Sequence, residues 1–185
     1  MKIMAIVGSP RPKGNTDLLI DQALEEAASR GAETEKIILS QYQVNPCLGH
    51  QNCSSFEKCQ QDDDIPAILD RFRGAEGIIL GSPVYYYGVT AQMKAFIDRN
   101  YFLARHGIRL SARCTGLVVV AGGGGIDQTV RALRRYIKLA TEMPDEKILI
   151  VSGYASQPGD VNSNPSLLEE ARKMGAQMVE MLRTN

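Results

Sequence analysis

Three stretches of this chain carry residue types that can hold a ligand, and a fourth carries types that can hold a metal. The first is Gly8-Ser9-Pro10-Arg11-Pro12-Lys13-Gly14-Asn15-Thr16, which follows an apolar run and enters a helical pattern. Small hydroxyls, glycines and free backbone N–H groups at a helix N-terminus suit a phosphate, because unpaired amides and the helix dipole favour an anion. Ser9, Asn15 and Thr16 can donate hydrogen bonds, Arg11 can supply charge, and Gly14 leaves the backbone bare. The stretch also reads as a polar turn with Asn15 or Thr16 as N-cap. It is not a Walker loop, since Gly-Lys-Ser/Thr is absent, nor a dinucleotide fingerprint, since no G-x-G-x-x-G follows the first strand.

The second stretch is Gly81-Ser82-Pro83-Val84-Tyr85-Tyr86-Tyr87-Gly88, again entering a helix. Adjacent tyrosines in a surface loop offer flat faces, and their backbone offers N–H and C=O groups to the edge of a planar heterocycle. They can also pack a subunit contact. The third stretch, Gly122-Gly123-Gly124-Gly125, has no side chains in the way, so a ligand can approach the backbone closely. A hinge has the same composition. A phosphorylated planar cofactor fits all three stretches, and FMN is the candidate. The ring would lie on Pro83, Val84, Tyr85, Tyr86, Tyr87 and Gly88, with Gly122, Gly123 and Gly124 opposite.

The fourth stretch lies within an irregular segment at about 40–64, much longer than a normal connection, which holds Cys47, His50, Cys53 and Cys59. Three sulfurs and one imidazole can hold an iron–sulfur cluster or zinc, and the segment can equally be an unmetallated loop. The Asp62-Asp63-Asp64 run reads as a solvated cap before a helix. Cys114 reads as a buried small residue and His106 as a polar residue near a helix C-terminus.

These loops need a scaffold. Apolar runs at Ile3–Val7, Ile78–Leu80, Leu117–Ala121 and Ile148–Val151 are nearly continuous, as strands covered on both faces are. Thr34–Leu39 alternates more and reads as an edge strand. Helical patterns cover Thr16–Arg30, Ile65–Phe72, Thr90–Leu103, Asp127–Leu139 and Pro165–Leu182, the last capped by Ser163 or Asn164. Strand–helix alternation repeated in this way predicts an α/β fold, a flavodoxin-like doubly wound five-stranded parallel sheet of order 2-1-3-4-5. Ligands then bind beyond the strands' carboxyl ends, between strands one and three. The fifth strand is a uniformly apolar edge, which predicts cover from a loop or a partner subunit.

The 185 residues make a single domain. Lys plus Arg equals Asp plus Glu at 21 each, so no bulk basic field points to nucleic acid. No apolar run approaches the ~20 residues of a membrane span, and the N-terminus lacks a signal-peptide pattern. The expectation is a cytoplasmic protein whose four cysteines are thiols or metal ligands. A signalling receiver would need aspartates at the ends of strands one and three, where the chain has Ile6-Val7-Gly8 and Leu80-Gly81-Ser82.

Gly8-Ser9-Pro10-Arg11 with Asn15-Thr16 resembles the phosphate loop of the flavodoxin-like NAD(P)H-dependent FMN reductases. Gly81-Ser82-Pro83-Val84-Tyr85-Tyr86, followed by Ala91-Gln92-Met93-Lys94-Ala95-Phe96-Ile97-Asp98-Arg99, is similar to their isoalloxazine loop and the helix after it. The nearest branch is the iron–sulfur flavoproteins and their cluster-free relatives. The resemblance implies bound FMN, NAD(P)H as donor, a quinone, flavin or other small-molecule acceptor, and a homodimer or homotetramer. The alternative it implies is an electron carrier fed by ferredoxin. That branch carries a compact four-cysteine motif, and here His50 stands where a second cysteine would be. A [4Fe-4S] cluster on Cys47, His50, Cys53 and Cys59 is one outcome, and an unmetallated loop is the expected one. No catalytic side chain is expected, because the cofactor carries the chemistry.

Overall fold

The computed structural model describes residues 1–184. Strands β1 (Lys2–Val7), β2 (Glu33–Ile38), β3 (Gly77–Pro83), β4 (Cys114–Ala121) and β5 (Ile148–Tyr154) form one parallel sheet in the order β2-β1-β3-β4-β5. The helices are α1 (Asn15–Ser29), α2 (Ile65–Arg73), α3 (Ala91–Arg99), α4 (Tyr101–Arg105), α5 (Ile126–Thr141) and α6 (Pro165–Arg183).

Strand alternation splits the core in two. On β1, Met4 and Ile6 face one side with Ile78, Leu80, Leu117 and Val119, under α2, α3, α4 and α5. Ile3, Ala5 and Val7 face the other with Ile79, Val118 and Val120, under α1 and α6. Both sets are buried, which is why the runs read as continuous. Helices α1 and α6 approach closely at Gly175, where a Cβ would clash with the Ala23 carbonyl oxygen. Asn164 caps α6, accepting from the Leu167 N–H at 3.1 Å.

Two expectations are corrected. The helix predicted through Thr90–Leu103 breaks at Asn100, which ends α3 and begins α4. Asp63 is no solvated cap: its side chain is buried against Arg99, whose guanidinium forks onto both carboxylate oxygens. The same Arg99 donates to the Asn45 carbonyl at 3.0 Å. Burial works against the Asp63 carboxylate, yet Arg99 and the Asn45 and Ile65 N–H groups hold its pKa below the ordinary value. This pair roots the long segment between β2 and α2 in the body of the protein. His106 adds a second tie, its ring nitrogens lying 2.8 Å from the Phe102 carbonyl and 2.9 Å from the Phe56 carbonyl. Strand β5 is an edge, and Ile150 on it is partly exposed.

Candidate functional site

The winding reverses between β1 and β3, and the backbone there is tightly joined. The Gly8 N–H donates to the Gly81 carbonyl at 2.7 Å. Thr90, fully buried, donates its hydroxyl to the Gly8 carbonyl and accepts from the Met93 N–H, capping α3. Its own N–H donates to the buried Ser82 hydroxyl at 3.1 Å. One first-turn amide of α3, that of Met93, is therefore met by a side chain of the protein itself.

The N-terminus of α1 is open. Gly14 precedes the helix and supplies no capping side chain, and first-turn amides have no intrahelical acceptor. A cavity of about 100 Å³ lies there, lined by Ser9, Arg11, Gly14, Asn15, Thr16, Pro83, Val84, Tyr85 and Gly122 from the loops singled out in the sequence. Ser9 and Thr16 are buried and Arg11 is exposed. The loop keeps its shape by itself: Ser9 Oγ accepts from the Arg11 N–H and donates to the Arg11 carbonyl at 3.2 Å, and the Gly14 N–H donates to the same carbonyl. Lys13 is held in the left-handed region at φ 58°, its N–H donating to the buried Asp17 carboxylate at 2.8 Å. An acid beside an anion site would repel its ligand, but Lys36 Nζ contacts Asp17 at 2.7 Å and Asp21 at 2.5 Å. Burial opposes the Lys36 charge, yet these two carboxylates hold its pKa above the ordinary value, so Lys36 stays charged and offsets one of the two negative charges.

Asn15 has a different task from phosphate donation. Its amide nitrogen donates to the Gln157 carbonyl at 2.8 Å, and its oxygen accepts from Gly159 N–H at 2.9 Å. It clasps the loop after β5 against the start of α1. That loop supplies Ala155, Ser156 and Pro158 to the same cavity, and β4 supplies Val120, none of which the sequence reading named. The signal was available: the strand after β4 also points its carboxyl end at this rim, and Ala155-Ser156-Gln157-Pro158-Gly159 has a loop composition.

Tyr86, Tyr87, Gly88, Gly123 and Gly124 lie outside the cavity's lining. Residues Tyr85 to Gly88 form a tight turn closed by reciprocal backbone hydrogen bonds of 3.0 Å. Tyr86 and Tyr87 both have positive φ, 47° and 62°, the geometry of a type I′ turn that normally selects Asn and Gly. Tyr86 at the tip is fully exposed. Tyr87 packs on the glycine loop, where its backbone comes within 2.8 Å of the position a Cβ would take at Gly125, itself at φ 97°.

The metal-type residues do not converge. The Cys47 sulfur accepts from the Gly49 N–H, Cys53 donates to the His50 carbonyl, and Cys59 accepts from Arg99 Nη2 at 3.2 Å. His50 is exposed. Among the described residues, no three His, Cys, Asp or Glu side chains are gathered as metal ligands. The candidate set Cys47, His50, Cys53 and Cys59 thus does not fit a cluster or zinc in this arrangement, because its side chains do not gather round a common point. Cys114 is buried as expected, and burial pushes its thiol up to about 12.

An open helix N-terminus, two hydroxyls, a guanidinium and an apolar wall meet at the switch point of a flavodoxin-like sheet, where such folds bind their ligands. Comparison with known proteins agrees. Residues 1–155 match NADPH-dependent FMN reductase, and the chain belongs to that family of oxidoreductases. An iron–sulfur flavoprotein of Methanocaldococcus jannaschii is 36% identical over 196 residues, covering 99% of this chain and 98% of the relative. The solved structure of RosB with bound 8-demethyl-8-formylriboflavin-5′-phosphate superposes with a TM-score of 0.77 at 15% identity, covering 99% of this chain and 79% of that one. An NAD(P)H:quinone oxidoreductase from Methanothermobacter marburgensis gives 0.75 at 14% identity, covering 95% and 97%. These two structures share the fold. Among the described residues no helix is long and apolar enough to cross a membrane.

Proposed function

We propose that the protein is an NAD(P)H-dependent reductase that passes electrons through FMN to a small-molecule acceptor of quinone or flavin type. The observation that carries this reading is the uncapped N-terminus of α1, opening with Ser9, Arg11 and Thr16 onto the β1–β3 crevice. The donor set fits the phosphate end of FMN: the first-turn amides and the Thr16 hydroxyl would donate to phosphate oxygens, the Ser9 hydroxyl would join them by turning from the Arg11 carbonyl, and Arg11 would supply the counter-charge. Asp17, paired with Lys36, fixes Lys13 and with it the loop's shape. Pro83, Val84, Tyr85 and the Gly122 backbone form the wall for the ring system. When bound, FMN supplies the redox chemistry, accepting two electrons from NAD(P)H and releasing them to the acceptor. The protein's share is to bind and orient, so no side chain is assigned as nucleophile, acid or base.

FMN titration tests this. The protein gains flavin absorbance near ~450 nm, and NADH or NADPH bleaches it. A protein that takes up no FMN overturns the reading. A homodimer or homotetramer is part of the proposal and is checked by sedimentation.

A ferredoxin-fed electron carrier is the second reading, favoured by the iron–sulfur flavoproteins among the relatives. Faster reduction by reduced ferredoxin than by NADPH would select it. Iron and acid-labile sulfide assays on anaerobically purified protein decide whether the Cys47–Cys59 segment rearranges around a cluster.

A further inference from the structure

The cavity before α1 measures about 100 Å³. Ordinary small-molecule sites run from ~300 to ~1,000 Å³, so there is room for a phosphate and too little for a phosphorylated ring compound. A wall must yield before a ligand of that size is seated. Three loops of the rim are tied down. The loop after β1 is bonded within itself and to Asp17. The loop after β3 is joined to its neighbours by the Gly8 N–H on the Gly81 carbonyl, by Thr90 on the Gly8 carbonyl, and by the Val84 N–H on the Val120 carbonyl at 2.8 Å. The loop after β4 packs against Tyr87.

The fourth wall, Ala155-Ser156-Gln157-Pro158-Gly159, is held differently. It follows β5, the edge strand, so no further strand flanks it. Its two ends are anchored: the Ala155 N–H donates to the Ala121 carbonyl at 2.9 Å, and Val161 is buried. Between them Asp160 folds the loop on itself, accepting from the Ser156 and Gln157 N–H groups at 2.9 and 2.7 Å. Among the described residues, few hydrogen bonds run from 156–159 to the other rim loops. The Ser156 hydroxyl donates to the Gly122 carbonyl at 3.3 Å. The Asn15 side chain makes the rest, donating to the Gln157 carbonyl at 2.8 Å and accepting from the Gly159 N–H at 2.9 Å. Asn15 is also the first residue of α1, so its own N–H is one of the first-turn amides assigned above to the phosphate. One residue thus offers its backbone to the anion and its side chain to the fourth wall.

We propose that the loop 155–159 is the movable wall of the crevice and that Asn15 is the positioning residue that latches it. The inference rests on the FMN reading above. The clasped loop narrows the crevice. Released, it swings between Ala155 and Gly159, and glycine at φ 89° leaves the chain free to turn there. The Gly159 and Val161 N–H groups that leave Asn15 then pass to water, so the clasped form is favoured by only a few exchangeable hydrogen bonds and the open form is within thermal reach. A ligand that enters through the open form associates at a rate set by the fraction of molecules that are open, and it leaves by the same route. Because the clasp is made before and after binding, it slows entry and exit together and changes the equilibrium little.

Hydrogen exchange of the ligand-free full chain reads the latch, and stopped-flow mixing with FMN, followed by flavin fluorescence, reads the gate. Asn15→Ala removes the clasp. Gly159→Ala strains the clasped loop at φ 89°, while its methyl meets nothing closer than the Asn162 side chain at 3.7 Å. Circular dichroism confirms that both variants fold. In both, the Gly159 and Val161 amides should exchange about three- to tenfold faster, while the amides of β4 stay as in the parent. FMN association and dissociation should both quicken by a similar factor, and the dissociation constant should move less than either rate. Faster dissociation alone would overturn the proposal, since Asn15 would then be a fixed wall contact. Slower association in both variants would overturn it too, because the clasped loop would then preform the site. So would exchange unchanged from the parent. A parent chain that takes up no FMN sinks the flavin reading and the gate with it. Normal FMN uptake with rates insensitive to both variants sinks the gate alone.

Discussion

The Thr90 hydroxyl donates to the Gly8 carbonyl at 2.6 Å, joining the start of α3 to the end of β1. One side chain thereby caps a helix and closes the switch point of the sheet. Thr90→Val removes both bonds and leaves a buried carbonyl unmet, at a cost of about 2 kcal/mol. Thr90→Ser restores most of it. Urea unfolding measures the stability, and FMN titration should show weaker binding in the valine variant alone.

Arg11 is exposed at the mouth of the loop before α1, the one guanidinium among the described residues lining that cavity. Charge-assisted hydrogen bonds contribute about 1.5–3 kcal/mol, so Arg11→Gln should weaken FMN about tenfold or more. Riboflavin, which lacks the phosphate, should bind both forms alike. Equal losses for the two ligands would place Arg11 elsewhere in the site.

The Tyr86-Tyr87 turn holds two non-glycine residues at positive φ, and the left-handed region costs such residues roughly 1–2 kcal/mol each. Replacing the pair with Asn-Gly should relieve that strain and raise the melting temperature. Turnover with NAD(P)H and a quinone should fall, because the exposed ring of Tyr86 and the packing of Tyr87 on Gly124 and Gly125 are lost. A gain in stability with unchanged turnover would show that the aromatic tip serves no step.

Asp63 and Arg99 form a buried pair, and removing one partner strands the other, at about 3–5 kcal/mol. The Asp63 pKa is lowered in the folded state, so its contribution is complete above the ordinary aspartate value and is lost as pH falls through the folded one. Asp63→Asn should therefore be much less stable than the parent at pH 7, with the gap narrowing below about pH 4. Urea midpoints across this range check the sign.

The scaffold was readable from residue order because its cause is local. Ile3–Val7, Ile78–Leu80 and Leu117–Ala121 are continuous apolar runs, and such runs alternating with amphipathic helices permit few topologies. The cavity-lining loop before α1 was readable because small and hydroxyl residues precede a helix. The tasks of Asn15, Asp63 and Arg99 were not, since each depends on partners 36 to 144 residues away. Composition at Asp62-Asp63-Asp64 could not tell which carboxylate is buried. Spacing of Cys47, His50, Cys53 and Cys59 could not reveal that Arg99 approaches the Cys59 sulfur. The amino-acid order by itself determined the parallel sheet, its winding and the rim at which the site opens, because periodicity and backbone chemistry are written along the chain. Only the tertiary structure decided which polar side chains are already satisfied by one another and which are left over for a ligand, because hydrogen-bond partnership is a property of distance in space.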